Sequence, residues 1–586
     1  IGLGVLGLLG LGVSALQLAT APFLTAFQIV LATLLLLTQE MRKLGDDLNA
    51  LSVYRGFLGQ YSLFTKLAVL SPLLFSFLLT LTPPFEAFDA LSYHLAQPAR
   101  ILQDGGLRPV DIPAFWYPNL TENVYLWPLA MGSDRAAQII HLAWAILSIV
   151  LLWHWTVQTW GAEIGRKTLL LIASLASLPL ISSWVYADMA LVYYSVAALY
   201  ALHSYETAGM RSSLYTTGLM AGLAMSVKYT SFVLPLTCGL LLLFRTFTKE
   251  RLKVAFVFSC IAVLTALPWY LRNAVIMHNP FYPFVFDGLY WDAFRREWYA
   301  NAGTGIGWDA IEIFMIPINM ILGHRELSPA DGRIGPLFLI LLPSTIFIFL
   351  TQLHGESATT RALRVIGVFS ILSFAAWTVG VINSSMLWQV RFFYPALIPL
   401  AIPTALGWHA LARLDSSQLR ISFLMNTLAA VVVTSTILDN GIFVLQRNPL
   451  SVAFGAQSRE RYIERTNPSY GALIQIMENL PPDARVYSLY EPRSYALPRA
   501  TQPDLALYNL AHDLFLYDTP DAIIQEWKVR GYSHVLVYER GAELVFSSDT
   551  ENNEVENTLD EVREKMRLVS QTPDKVYSMY QIPEPD

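Results

Sequence analysis

The sequence predicts a polytopic α-helical membrane protein of about thirteen transmembrane helices, followed by an exported α/β domain. Three observations predict it. Of the 586 residues, 54% are hydrophobic and 14% charged, with a mean hydropathy of +0.43, whereas soluble chains carry about 25% charge. Apolar runs of spanning length recur from residue 1 to residue 438. Beyond residue 440 the pattern becomes alternating helix and strand signals. The net charge of −6 is small and gives no basis for a nucleic-acid partner. Cys238 and Cys260 both lie inside apolar runs, so no disulfide framework is implied.

The runs fall at 1–19, 22–38, 67–82, 137–157, 168–185, 189–204, 213–227, 231–245, 254–271, 335–352, 364–382, 394–411 and 421–438. Each is long enough to cross a hydrocarbon core of about 30 Å, the shorter ones by thinning the bilayer. The stretch 309–322 is apolar on one side and too short to span comfortably, and is expected to be an interfacial or re-entrant helix. Three domains follow: an N-terminal hairpin and cytoplasmic loop at 1–66, a helical core at 67–440, and an exported domain at 441–586.

Lys and Arg set the orientation, because cytoplasmic loops retain them. The segments "QEMRKLGDD", "GRK", "AGMRSS", "FRTFTKERLK", "TTRALR" and "ARLDSSQLR" fall on one face of the predicted helices and are assigned to the cytoplasm. The long connections 83–136 and 272–334, the short one 384–393 and the tail then lie outside the cytoplasmic membrane.

The tail reads as a small α/β domain. "NPSYGALIQIMENLPPDARVYSLY" gives a helix, a Pro-Pro break and a strand, and "TPDAIIQEWKVRGYSHVLVYE" repeats that order. The stretch "EVENTLDEVREKMRLVSQTPDKVYSMYQI" adds one helix and a final strand, so a mostly parallel sheet is expected. No G-x-G-x-x-G follows either strand, and a cap or docking role is favoured over nucleotide binding.

The polar residues at the outer helix ends need explaining. In "LTPPFEAFDALSYHLAQPARIL", Glu86 and Asp89 stand three apart and Asp89 and Tyr93 four apart, which on a helix is one face; His94 is one step round. A single Asp there could pair with Arg100, but the cluster looks like a reaction site. Asp188, in "VYADMALVYY", sits where one helix ends and the next begins; an N-cap and a functional role both account for it. Lys228, Arg272 and Arg391 place cations on three outer helix ends, where the positive-inside rule would not put them. Snorkelling accounts for any one of them. Together they suit an anionic group such as a phosphate.

Group transfer from a phosphate-linked donor needs such a set, with a carboxylate as general base for an acceptor hydroxyl and cations for the departing phosphate. Trp116, Tyr117, Trp269 and Tyr270 line a sugar or lipid path or, as ordinary interfacial aromatics, form a belt. No cofactor is expected. A divalent metal ion is left unassigned, because the spacing of His94, Asp89 and Glu86 specifies one only weakly.

The arrangement resembles the GT-C superfamily of membrane glycosyltransferases, in particular bacterial members similar to dolichyl-phosphate-mannose protein mannosyltransferases and lipid A aminoarabinose transferases. The resemblance covers roughly 67–440 and, more loosely, the tail. Asp89 takes the place of the family's catalytic acid in the first outer loop, and Asp188 that of its second acidic position. "SVKYTSFVLPL" is similar to the family's Lys-Tyr or Lys-Trp step, carried to Lys228 and Tyr229. "PWYLRNAVIMHNPFYPF" and "RFFYPALIPLA" look like later outer-face motifs, carried to Arg272, Asn273 and Arg391. The resemblance implies an inverting transferase that uses a polyprenyl-phosphate sugar at the outer face and delivers it to a protein, lipid or glycan acceptor. This sequence departs from the family in having Asp89 without an adjacent second acid, which leaves the partnership of Glu86 open, and in lacking a β-rich carbohydrate-binding tail.

The rival reading is a non-catalytic membrane subunit on the same scaffold, binding lipid or a larger membrane complex. A transporter is weaker, since no inverted repeat of the hydropathy pattern is visible.

Overall fold

The computed structural model describes residues 1–37, 59–243, 248–300, 303–322, 333–353, 355–548 and 553–583. The basic segment 39–47 and the start of 244–253 lie outside the described residues. The chain divides into two compact units. One takes residues 1–81, 118–271 and 301–449, the other 82–117, 272–300 and 450–586.

The first unit is helical. Among the described residues, six helices are long and apolar enough to cross a bilayer: Leu63–Thr80, Asp134–Trp160, Lys249–Ile276, Ala358–Asn383, Val390–Ala412 and Ile421–Arg447. The chain is a multi-pass membrane protein. Each of the six falls on an expected run, and Ile421–Arg447 continues past 438. Ser62 and Ser357 start two of them by accepting from the backbone N–H of Thr65 and Thr360, at 3.3 and 3.1 Å, which satisfies donors that a first helical turn leaves without partners.

Other expected runs appear as shorter helices: Gly2–Ala15, Ala21–Leu37, Arg211–Met225, Val233–Leu243 and Leu342–Gln352. The segment 309–322 forms the helix Ala310–Leu322. The run expected at 168–185 is not one helix. It breaks into Ala162–Ala173 and Leu178–Ser183, because Ser177 turns its backbone N–H and its hydroxyl to the carbonyl of Arg333, at 3.3 and 2.5 Å. Gly335 passes so close that an added Cβ would lie 2.1 Å from the Ser174 carbonyl oxygen. The "GRK" and "TTRALR" segments are not loops either, but lie within the helices Ala162–Ala173 and Ala358–Asn383.

The second unit is a three-layer α/β structure around one sheet. Its strands are β1 Arg485–Leu489, β2 Ala500–Gln502, β3 His534–Tyr538, β4 Arg567–Gln571 and β5 Tyr577–Gln581, in the order β2-β1-β3-β5-β4. β1 runs parallel to β2 and β3, while β5 is antiparallel to both β3 and β4. The sheet is therefore mixed rather than mostly parallel, and the expected single final strand is a hairpin. Its turn is tied by Thr572, whose hydroxyl donates to Asp574 at 2.7 Å and accepts from the Val576 N–H at 3.1 Å.

Side chains alternate across the sheet with the two-residue period of a strand. Tyr487, Leu489, Val535 and Val537 pack on one face with Leu510, Ile523, Trp527 and Leu559 from three helices. Val486, Leu536, Tyr577 and Met579 pack on the other with Tyr470, Leu473 and Met477. Phe85 and Leu91, nearly 400 residues earlier in sequence, are buried in that second cluster.

Candidate active site

Asp188 is the centre of the cluster in the helical unit. The N-cap of its helix, Asp188–Ala208, is Ala187. Asp188 is therefore one residue inside the helix and is not the cap, and its carboxylate is turned to cations. Lys228 donates to Oδ1 at 3.1 Å, and Nη1 of Arg391 stands 3.9 Å from Oδ2. Lys228 lies at the break between Arg211–Met225 and the short turn Tyr229–Phe232. The Arg391 guanidinium stacks on the ring of Tyr186 at 4.4 Å and donates through Nε to Gln389 at 2.8 Å. Phe392 lies under both cations, 5.3 Å from each.

The loop that presents Asp188 is held from two sides. Tyr125 donates its hydroxyl to the Tyr186 carbonyl, and His141 Nε2 accepts from the Met189 N–H at 3.1 Å. Phe392 and Tyr229 also line a cleft of about 260 Å³ with Leu191, Phe232, Phe369 and Trp377. Phe392, over which both cations stand, is thus also part of the wall of a mainly apolar cleft.

Asp89 belongs to the other unit. The residues after it, Ala90–His94, form a π-helical turn, with the Leu95 N–H donating to the Ala90 carbonyl at 2.9 Å. Such wide turns are frequent at functional sites. The Tyr93 hydroxyl donates to Asp89 Oδ2 at 2.8 Å, and the His94 ring packs on Tyr93 with centroids 4.2 Å apart. Desolvation pushes the Tyr299 phenol up, and the Asp89 carboxylate pushes it further. Glu86 is not on the expected helical face: it sits in the turn before the helix begins. Arg100 pairs with Asp104 at 2.8 Å.

Arg272 and Asn273 close the helix Lys249–Ile276. Arg272 donates through Nη2 to the carbonyls of Trp116 and Tyr117, both at 2.9 Å, and through Nε to Asn273 Oδ1 at 2.9 Å. Asn273 donates to the Trp116 carbonyl at 2.6 Å. Both residues brace the 82–117 segment. Trp116 and Trp269 are fully buried, away from any lipid-facing belt. Among the described residues, no group of three or more His, Cys, Asp or Glu side chains is placed to hold a metal ion.

Sequence reading missed Tyr186, Gln389 and Phe392. The signal for Gln389 and Phe392 lay in the stretch "QVRFF", where a polar residue two before and an aromatic just after an arginine supply a partner and a stacking face.

Comparison with known proteins bears on this arrangement. Residues 126–270 match the family model described as dolichyl-phosphate-mannose-protein mannosyltransferase. The crystal structure of ArnT from Cupriavidus metallidurans bound to undecaprenyl phosphate superposes with a TM-score of 0.51 at 14% identity, covering 89% of this chain and 99% of that one. The chain has a GT-C fold. A second solved structure, the archaeal oligosaccharyltransferase AglB from Archaeoglobus fulgidus with an inhibitory peptide and a dolichol-phosphate, aligns at 12% identity over 89% of this chain and 75% of that one, with a TM-score of 0.43. No curated protein matches the chain in sequence. Within the GT-C fold, the matched segment contains Asp188 and Lys228.

Proposed function

We propose that the chain is a glycosyltransferase that moves a sugar from a polyprenyl-phosphate donor to an acceptor hydroxyl at the outer face of the cytoplasmic membrane. The observation that carries this reading is the cation pair beside the apolar cleft. A polyprenyl phosphate is an anion on a hydrocarbon tail, and the cluster offers a partner for each part. Lys228 is half-buried, and Asp188 takes one of the three donors of its ammonium. Arg391, fixed by Tyr186 and Gln389, supplies a second positive charge. Leu191, Phe232, Phe369 and Trp377 offer the tail an apolar wall.

Asp89 is the general base in this reading. It removes the proton of the acceptor hydroxyl as that oxygen bonds to the anomeric carbon, and the bond from that carbon to the phosphate oxygen breaks. The proton ends on the Asp89 carboxylate, and the electron pair leaves with the polyprenyl phosphate, whose charge Lys228 and Arg391 offset. Asp188 orients both cations. Such base catalysis contributes about 10²–10⁴-fold to a rate.

Native mass spectrometry of the purified protein tests the proposal, using a panel of polyprenyl-phosphate sugars and wild type beside Asp89→Asn. The expected result is a donor retained by the variant and consumed by wild type. Equal consumption by both removes Asp89 as base. If neither form holds such a lipid and both arrive with other membrane subunits, a scaffold role replaces the enzyme.

A further inference from the structure

We propose that the C-terminal α/β domain is the mould that sets the position of Asp89, with Arg493 as its positioning residue. This rests on the reading of Asp89 as general base. The segment carrying Asp89 is built into the domain on both sides of the carboxylate. Four residues before it, Phe85 is 3% exposed and packs against the ring of Tyr470. Two residues after it, Leu91 is fully buried in the same cluster as Val486, Leu536 and Met579 from the sheet. The Leu91 carbonyl, inside the π-helical turn, accepts from the backbone N–H groups of Ser494 and Tyr495, both at 3.0 Å.

Those two N–H groups belong to the loop that leaves β1, and a buried ion pair fixes that loop. Glu491 is fully buried. Arg493 donates to Glu491 Oε1 through Nε at 2.8 Å and to Oε2 through Nη2 at 2.7 Å, and its own N–H donates to Oε1 at 2.8 Å. The Tyr577 hydroxyl joins from β5, donating to Glu491 Oε2 at 2.7 Å. The guanidinium is stacked among Tyr470, Tyr538 and Phe88, at 4.8, 5.6 and 5.7 Å.

Phe88 is the residue directly before Asp89. A buried forked pair holds one geometry and tolerates few others. Here it locks the 491–495 loop, the loop holds the Leu91 carbonyl, and Arg493 itself holds Phe88. Asp89 lies between the two held points. A side chain that must reach a hydroxyl proton within hydrogen-bond distance needs such support, because displacement by about 1 Å costs about a hundredfold in rate.

The test measures donor consumption and amide hydrogen exchange for Arg493→Met, Arg493→Lys, Asp89→Asn and the double variant Asp89→Asn with Arg493→Met. Arg493→Met is expected to lower turnover at least tenfold with retention of the donor lipid unchanged. Its amides at 88–95 should exchange faster, while those of β1 and β3 stay protected. Arg493→Lys, which keeps the charge without the fork, should fall between, and it stands in if Arg493→Met does not fold. In the Asp89→Asn background, Arg493→Met should bring no further loss.

Unchanged turnover and exchange in Arg493→Met, with Asp89→Asn inactive, overturns the positioning role alone. Faster exchange throughout the domain overturns it too, since Arg493 would then act only on stability. An active Asp89→Asn overturns the functional reading beneath it.

Discussion

The two candidate acids, one in each unit, differ in what surrounds them. Asp188 is 2% exposed and tied to Lys228 and Arg391. Asp89 is half-buried and takes a hydroxyl from Tyr93. A buried carboxylate between two cations has its charge committed to holding them, and removing it leaves uncompensated buried charge. Asp89 stands beside a wide helical turn and takes the neutral hydroxyl of Tyr93. The proposed roles follow this contrast, with Asp188 organising the cations and Asp89 acting on the acceptor.

That contrast can be broken by experiment. Asp89→Asn should lower transfer by about 10²–10⁴-fold and leave the melting midpoint unchanged. A fall in the midpoint would make Asp89 structural. Asp188→Ala should do the reverse first, destabilising the protein by about 3–5 kcal/mol, read as a lower midpoint in detergent. Unaltered melting there would end the distinction between the two acids. Tyr93→Phe, which removes one hydroxyl from Asp89, should slow transfer about tenfold, equivalent to about 1.4 kcal/mol, with donor retention intact.

The smallest effect sharpens the comparison with a third acid. Burial pushes the Asp504 carboxyl up to about 7, against the backbone N–H groups of Tyr490, Tyr508 and Asn509, which pull it down. Its folded value exceeds the unfolded value of about 4, so its stabilisation is complete at low pH and lost as pH rises through about 7. The stability of wild type relative to Asp504→Asn should therefore shrink between pH 4 and pH 7, as melting curves at the two ends would show. A difference independent of pH would mean that folding does not shift the Asp504 carboxyl.

The parts legible in sequence were those written in local pattern. Long apolar runs gave the six long helices, and helix-strand alternation gave the α/β domain. Lys228, Asp188 and Arg391 drew attention as charges in apolar sequence, and they do meet. The spacing of Asp89 and Tyr93 anticipated their hydrogen bond. What failed was non-local. The break at Ser177 depends on Arg333, which lies 156 residues away. The duty of Arg272 depends on carbonyls at 116 and 117, and backbone carbonyls leave no mark in a sequence. Glu491 and Arg493 carry no local mark of burial, because their partner Tyr577 comes from β5.

The burial of Phe85 and Leu91 among residues 463–579 has a consequence for biogenesis. Residues 85–91 leave the ribosome long before their packing partners exist, and at about 5–20 residues per second the gap is on the order of half a minute. During that interval the early helices are already in the bilayer, but the turn bearing Asp89 has no surface to fold against. If Asp89 is the general base proposed above, a nascent chain acquires that base in its working position only after its last segment has been made.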